Sequence, residues 1–231
     1  MRALPLISTS SRKTSAFLNG GTFLLSRRYL VSYNEGGEQA KEINLMTSLI
    51  HMFVGGTTGK WRVERVSAIR GPALTPVPRL AIFDGYPSTI PEDSIWHLRG
   101  VTSYERYVHR AERSALVTRQ PDLGHPNATC AALIPIKKSV TWWELTQDER
   151  RMIFEERSHH ITIGLRYLPA IARRLYHSRD LGEPFDFLTW FEYAPADAEV
   201  FEELVGTLRE TEEWTYVERE IDIRLIVADY L

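Results

Sequence analysis

The sequence predicts an α+β protein: an antiparallel sheet with helices packed on one face. Three observations predict it. The C-terminal part reads strand, helix, strand, with "FDFLTWFEYA" and "TYVEREIDIRLIVA" alternating on either side of the helical pattern "ADAEVFEELVGTLRETEEW". The longest helical pattern, beginning at Thr146, lies just before them. Residues 94–137 weakly echo the strand–helix–strand order of residues 185–227, as two related β-α-β halves of one fold would.

Bulk properties narrow the class. A chain of 231 residues corresponds to one large domain or two small ones. Its 43% hydrophobic and 25% charged residues support a real core, and a net charge of −2 gives no general attraction to nucleic acid. The single cysteine, Cys130, excludes an internal disulfide and any Cys-rich zinc or iron–sulfur site. No apolar run approaches the ~18 residues of a membrane span, so no membrane partner is expected.

Residues 1–45 stand apart. No acidic residue occurs up to Asn34, while Arg2, Arg12, Lys13, Arg27 and Arg28 are basic. The segment reads as an N-terminal extension, either a disordered tail or the result of a start placed upstream of Met46. A cytoplasmic protein is expected, or a periplasmic one if residues 1–45 are a targeting segment. From Met46 the pattern is globular. "TSLIHMFVGG" reads as a strand ending in a Gly-Gly turn, and residues 71–95, with five prolines, as mostly loop. "SIWHLRGVTS" reads as a strand, "YERYVHRAERSALVTRQ" as a helix, and "TCAALIPI" as a short buried strand. Thr146 and Glu149 form a T-x-x-E capping box ahead of "RRMIFEERSHHITIGL". Pro169 breaks or restarts that helix, and "PAIARRLYHSRDLG" continues it to a stop at Gly182. In the last helix Val200, Phe201, Leu204, Val205 and Leu208 share a face, and the final strand keeps one face partly solvated.

Walker, G-x-G-x-x-G, H-E-x-x-H and G-x-S-x-G motifs are all absent, which argues against nucleotide binding and serine hydrolysis. The candidate chemistry lies in less formal features, each with a plain alternative. His159 and His160 are neighbours in a helical pattern, so they point about 100° apart and cannot easily share one metal. Either both are surface or core histidines, or one is a haem ligand whose other ring nitrogen is held by a carboxylate. The apolar face of Phe154, Ile161 and Leu165 favours His160. Arg173 and Arg174 are a solvated stripe or, if one turns into an apolar pocket, a permanent cation for an anion. Trp142 and Trp143 are core, or the wall of a flat porphyrin. Lys137 and Lys138 are solvated, or meet propionates. Glu212 and Glu213 lie at an exposed helix end, or reach a buried partner.

The stretch "CAALIPIKKSVTWWELTQDERRMIFEERSHHITIGLRYLPAIARRLYHSRDLGEPFDFLTWFEYAP", continued by "TEEWTYVEREIDIRL", resembles the chlorite dismutase family, in its short, dimeric branch. The resemblance runs from about Met46 to the C-terminus, with a shortened N-terminal half at 46–137 and a haem-binding half at 138–231. It implies a ferredoxin-like α+β fold, a homodimer, and haem b bound between sheet and helices. By position His160 matches the axial haem iron ligand, Glu213 the carboxylate behind it, and Arg173 the flexible distal arginine. Lys138 and Trp142 or Trp143 match residues that tie the histidine and haem in place, and Tyr107 a tyrosine near a propionate. The implied reaction takes chlorite to chloride and dioxygen through a ferryl haem and transient hypochlorite. The alternatives are a coproheme decarboxylase-like enzyme of the same superfamily, from which Arg173 argues away, a non-catalytic haem-binding protein, and an α+β dimerisation module without cofactor.

Overall fold

The computed structural model describes residues 50–228, apart from 86, 88 and 103–105. The reading of residues 1–45 as an extension lies outside the described residues. Among the described residues eight strands form: β1 (Ile50–Gly56), β2 (Trp61–Arg70), β3 (Arg79–Asp84), β4 (Trp96–Thr102), β5 (Cys130–Lys138), β6 (Ile171–His177), β7 (Phe187–Tyr193) and β8 (Val217–Val227). They close into a barrel in the order β1-β3-β2-β8-β5-β7-β6-β4, with every neighbouring pair antiparallel. Among the described residues the α-helices are α1 (Arg110–Arg119), α2 (Val140–Glu144), α3 (Gln147–Arg151), α4 (His160–Arg166) and α5 (Ala198–Arg209).

The closed barrel corrects the expected open, ferredoxin-like sheet with helices on one face. The difference traces to β2, β3 and β6. The first was not anticipated, and the second lies in the expected loop 71–95, where Arg79–Asp84 is a proline-free run after Pro78. The third was expected to be helix. "IARRLYH" has no strict alternation, yet it pairs along its whole length with β7, from Ile171↔Tyr193 to His177↔Phe187. Its end also pairs with β4, at Val101↔His177 and Thr102↔Tyr176, and this short seam closes the barrel. Pairing on both edges outweighs the weak local preference. At the seam Gly100 admits close approach, since a Cβ there would lie 2.5 Å from Cβ of Tyr176. The two β-α-β segments do not repeat each other. β7 and β8 both flank β5, whereas β4 lies between β1 and β6.

Alternation along the strands sorts side chains onto two faces. Phe53, Trp61, Leu80, Leu98, Leu133, Tyr176, Trp190 and Ile223 come one from each strand and fill the barrel interior. The outward residues Ile134, Ile136, Ile171, Phe191 and Tyr193 pack instead under α4 and α5, against Ile163, Phe201, Leu204, Val205 and Leu208. β5 is therefore buried on both faces, as its continuous apolar run requires.

The charged side of β8 was expected to be partly solvated; Glu218 is exposed, but Glu220, Asp222 and Arg224 are buried. Glu220 and Asp222 are at most 1% exposed, and Arg209 of α5 covers them. Arg209 donates to Glu220 at 2.6 and 2.8 Å and to Asp222 at 2.8 Å, while Arg224 donates to Asp222 and to Glu202. The other Glu220 oxygen accepts from the Trp214 indole at 2.8 Å. Charges can lie under a helix here because each is matched and hydrogen-bonded. The cluster also pins the 3-10 turn Glu212–Tyr216 against the sheet.

Candidate functional site

A cavity of about 310 Å³ opens on the outer face of β5, β7 and β6, beneath the helices. Ile134, Ile136, Phe187, Thr189, Phe191 and Leu175 floor it, and His160, Glu213, Trp214, Trp142, Tyr107 and Arg173 stand around it. Its wall is chiefly apolar and aromatic, with a few directed polar groups, as small-molecule sites commonly are.

His160 is presented by a break in the expected helix. The Thr146–Glu149 capping box forms, and α3 begins as read. The chain then widens into a π-helical turn over Met152–Arg157, where Ser158 N–H donates to Ile153 O five residues back. His159 follows with φ 54°, in left-handed geometry, and stays exposed. A new helix, α4, starts at His160. The buried Glu155 carboxylate accepts from the N–H groups of Ile161 and Thr162 at its start, at 2.5 and 3.2 Å. The result turns His160 inward, its ring stacked on Phe154 with centroids 4.3 Å apart.

Behind His160 stands Glu213. The His160 Nδ1 to Glu213 Oε2 distance is 2.6 Å, and Lys138 Nζ donates to Oε1 at 2.8 Å and to the Glu213 carbonyl at 3.1 Å. Glu213 N–H donates to Ser158 Oγ, which ties the turn to the π segment. Burial alone would raise the Glu213 pKa, but Lys138 and His160 outweigh it and hold the carboxyl at about 2. Glu213 is thereby paired with Nδ1 of the ring, and Nε2 is the ring nitrogen left for a further partner. Lys138 is fully committed here: it is buried, bonds Glu213, and lies over Trp142 and Trp214 at 4.7 and 5.5 Å. Lys137 points away and pairs with Glu218, and Glu212 pairs with Arg157.

The remaining anticipated residues divide. Trp142 is 1% exposed at the cavity wall, and its indole N–H has no partner. Trp143 does not line the cavity; it donates to Asp186 and lies under the Arg179 guanidinium. Tyr107 lines the cavity, with φ 62° and its hydroxyl accepting from Arg150. Arg173 also lines it, with its guanidinium beside Gly164 of α4, where an added Cβ would sit 3.5 Å from Nη1. Arg173 O accepts from Gln120 at 2.7 Å. Arg174 is exposed.

Sequence reasoning missed Phe154, Glu155, Trp214 and His177. Trp214 adjoins Glu213 and could have been found by asking what packs on a buried carboxylate; Phe154 gave only its place on an apolar face, and Glu155 and His177 carry no local signal. Burial, assisted by Arg106 and opposed by Asp180, pushes His177 down to about 4. Between pH 6.5 and about 4 the unfolded chain takes up a proton that the folded His177 refuses. Stability is expected to fall as pH drops through that window. In His177→Phe that part of the slope disappears, as melting curves across the window will show.

An outer-face cavity on an antiparallel barrel, with a carboxylate-backed histidine in its wall, has the form of a small-molecule site. Comparison with known proteins makes the class specific. The sequence profile of the chlorite dismutase family matches residues 90–227. The dimeric chlorite dismutase of Nitrobacter winogradskyi is 60% identical, over 77% of this chain and 99% of that one, with a TM-score of 0.72. Chlorite dismutase of Ideonella dechloratans is 34% identical over 104 residues, which span 41% of this chain but only 33% of that protein. The fold is shared with chlorite dismutase of Candidatus Nitrospira defluvii in complex with imidazole, at 21% identity and a TM-score of 0.57 over 82% of this chain and 95% of that one. The chain belongs to the chlorite dismutase family. Among the described residues, no helix is long and apolar enough to cross a membrane.

Proposed function

We propose that this protein is a haem b-dependent chlorite dismutase that converts chlorite to chloride and dioxygen, acting as a homodimer. One observation carries the reading: His160, its Nδ1 held 2.6 Å from the ionised Glu213, lines the same cavity as Arg173. The residues fit haem on three counts. His160 keeps Nε2 available as an axial ligand. The cavity wall is chiefly apolar and aromatic, the surroundings against which a flat porphyrin would pack. The unpartnered Trp142 indole, buried at the wall, is a donor that a haem carboxylate would satisfy.

Bound haem would supply the redox chemistry by which ClO₂⁻ becomes Cl⁻ and O₂. The chain's own residues supply the rest. Glu213 fixes the His160 tautomer and raises its electron donation, and Lys138 fixes Glu213 in turn. Trp142 and Tyr107 would hold haem carboxylates. Arg173 would be a permanent cation in a chiefly apolar cavity, suited to attract a small anion and retain a charged product. The likeness to the dimeric Nitrobacter winogradskyi protein supports the homodimer. Oxygen-electrode measurement on haem-loaded protein tests the reading. Chlorite-dependent oxygen release is expected from the wild type. Arg173→Ala should keep its haem while losing turnover by about 10-fold or more. No oxygen from the loaded wild type contradicts the proposal.

A further inference from the structure

We propose that Arg150, which no likeness singles out, is the positioning residue of the corner of the cavity that receives a haem carboxylate. The inference rests on the haem reading above and adds to it the group that aims the donors.

Arg150 lies in α3, outside the cavity lining, and its guanidinium is spent on two elements that do line it. Nε donates to Trp142 O at 3.0 Å, and Nη2 donates to Trp143 O at 2.8 Å and Leu145 O at 2.7 Å. These are free carbonyls at the end of α2, a five-residue helix too short to hold itself together. The orientation of Trp142 thus depends on Arg150. Nη1 donates to the Tyr107 hydroxyl at 3.2 Å.

Tyr107 needs such support. Its backbone sits at φ 62°, which costs a non-glycine residue free energy, and Arg151, paired with Glu112, holds its carbonyl. The hydroxyl accepts from a group that can only donate, so its own hydrogen is left for another acceptor. The Trp142 indole N–H is likewise uncommitted, and the two rings meet edge to face with centroids 6.3 Å apart. One cation therefore aims two neutral donors along one stretch of wall. A carboxylate, with several lone pairs and a negative charge, is the acceptor such an arrangement fits.

A plain structural role, in which Arg150 only caps α2, predicts something different. The distinguishing experiment compares haem b with haem whose two propionates are methyl esters. Each is loaded into wild type and Arg150→Gln, and its transfer to excess apomyoglobin is timed. The wild type is expected to release the diester about 10-fold faster than haem b. In Arg150→Gln haem b release should accelerate to approach that of the diester, while diester release changes little. Tyr107→Phe, which keeps the α2 cap and removes only the hydroxyl, should narrow the difference part way. It also serves as the test if Arg150→Gln does not fold. Equal acceleration of both cofactors in Arg150→Gln, an unchanged haem b rate, or no narrowing in Tyr107→Phe overturns the proposal. A wild type that takes up neither cofactor overturns the haem reading itself.

Discussion

Replacing Glu213 by alanine is expected to lower stability by about 3–5 kcal/mol and to weaken haem affinity by about 10–100-fold. The stability loss follows from what is left behind. Lys138 is 4% exposed, and among the described residues the carboxylate that its Nζ bonds is that of Glu213, at 2.8 Å. Removing that carboxylate strands an ammonium between Trp142 and Trp214, whose faces compensate only in part. The affinity loss follows from the 2.6 Å contact to His160 Nδ1, which fixes ring orientation and tautomer. Thermal melts and a haem titration read the two effects separately. The folded pKa of Glu213, about 2, lies below its ordinary 4.5, so its contribution is complete above pH 4.5 and is lost as pH falls toward 2. Glu213→Gln should lack that acid-dependent share.

Replacing Arg209 by methionine is expected to cost a similar amount, about 3–5 kcal/mol, although Arg209 does not line the cavity. Glu220 and Asp222 are at most 1% exposed, and Arg209 bonds both. Arg224 retains Asp222, but Glu220 would lose both Arg209 bonds and keep that of the Trp214 indole. Trp214 belongs to the turn that carries Glu213, so loosening this cluster reaches the site through one side chain. Urea unfolding of Arg209→Met should show the full loss, and Arg209→Lys a smaller one, since a lysine offers one point charge where arginine spans two carboxylates.

The parts of this protein that were legible share a property: their local pattern and their final environment agree. Cys130–Lys138 is apolar on both faces and is buried on both. Ala198–Arg209 has one apolar face and buries it. The barrel was not legible because its closure depends on β6, whose "IARRLYH" carries two arginines mid-strand and earns its place by pairing on two edges. The charges of β8 misled in the same way, since Glu220 and Asp222 look solvated until Arg209, from another element, covers them. Among the site residues, His160, Glu213 and Lys138 were named through a family resemblance, and the structure brings them within bonding distance. Helix phase leaned toward His160 on the assumption of a continuous helix. The π turn and the left-handed His159 break that continuity, and no periodicity could have announced them.

The proposed function requires His160 to be the ligand of a haem in the cavity over β5, β7 and β6. Absorption spectroscopy of His160→Gly, loaded with ferric haem and titrated with imidazole, tests this most directly. The variant is expected to lose the wild-type Soret band and to regain it as imidazole fills the space of the missing ring. A variant whose haem spectrum matches the wild type before any imidazole is added would contradict the assignment.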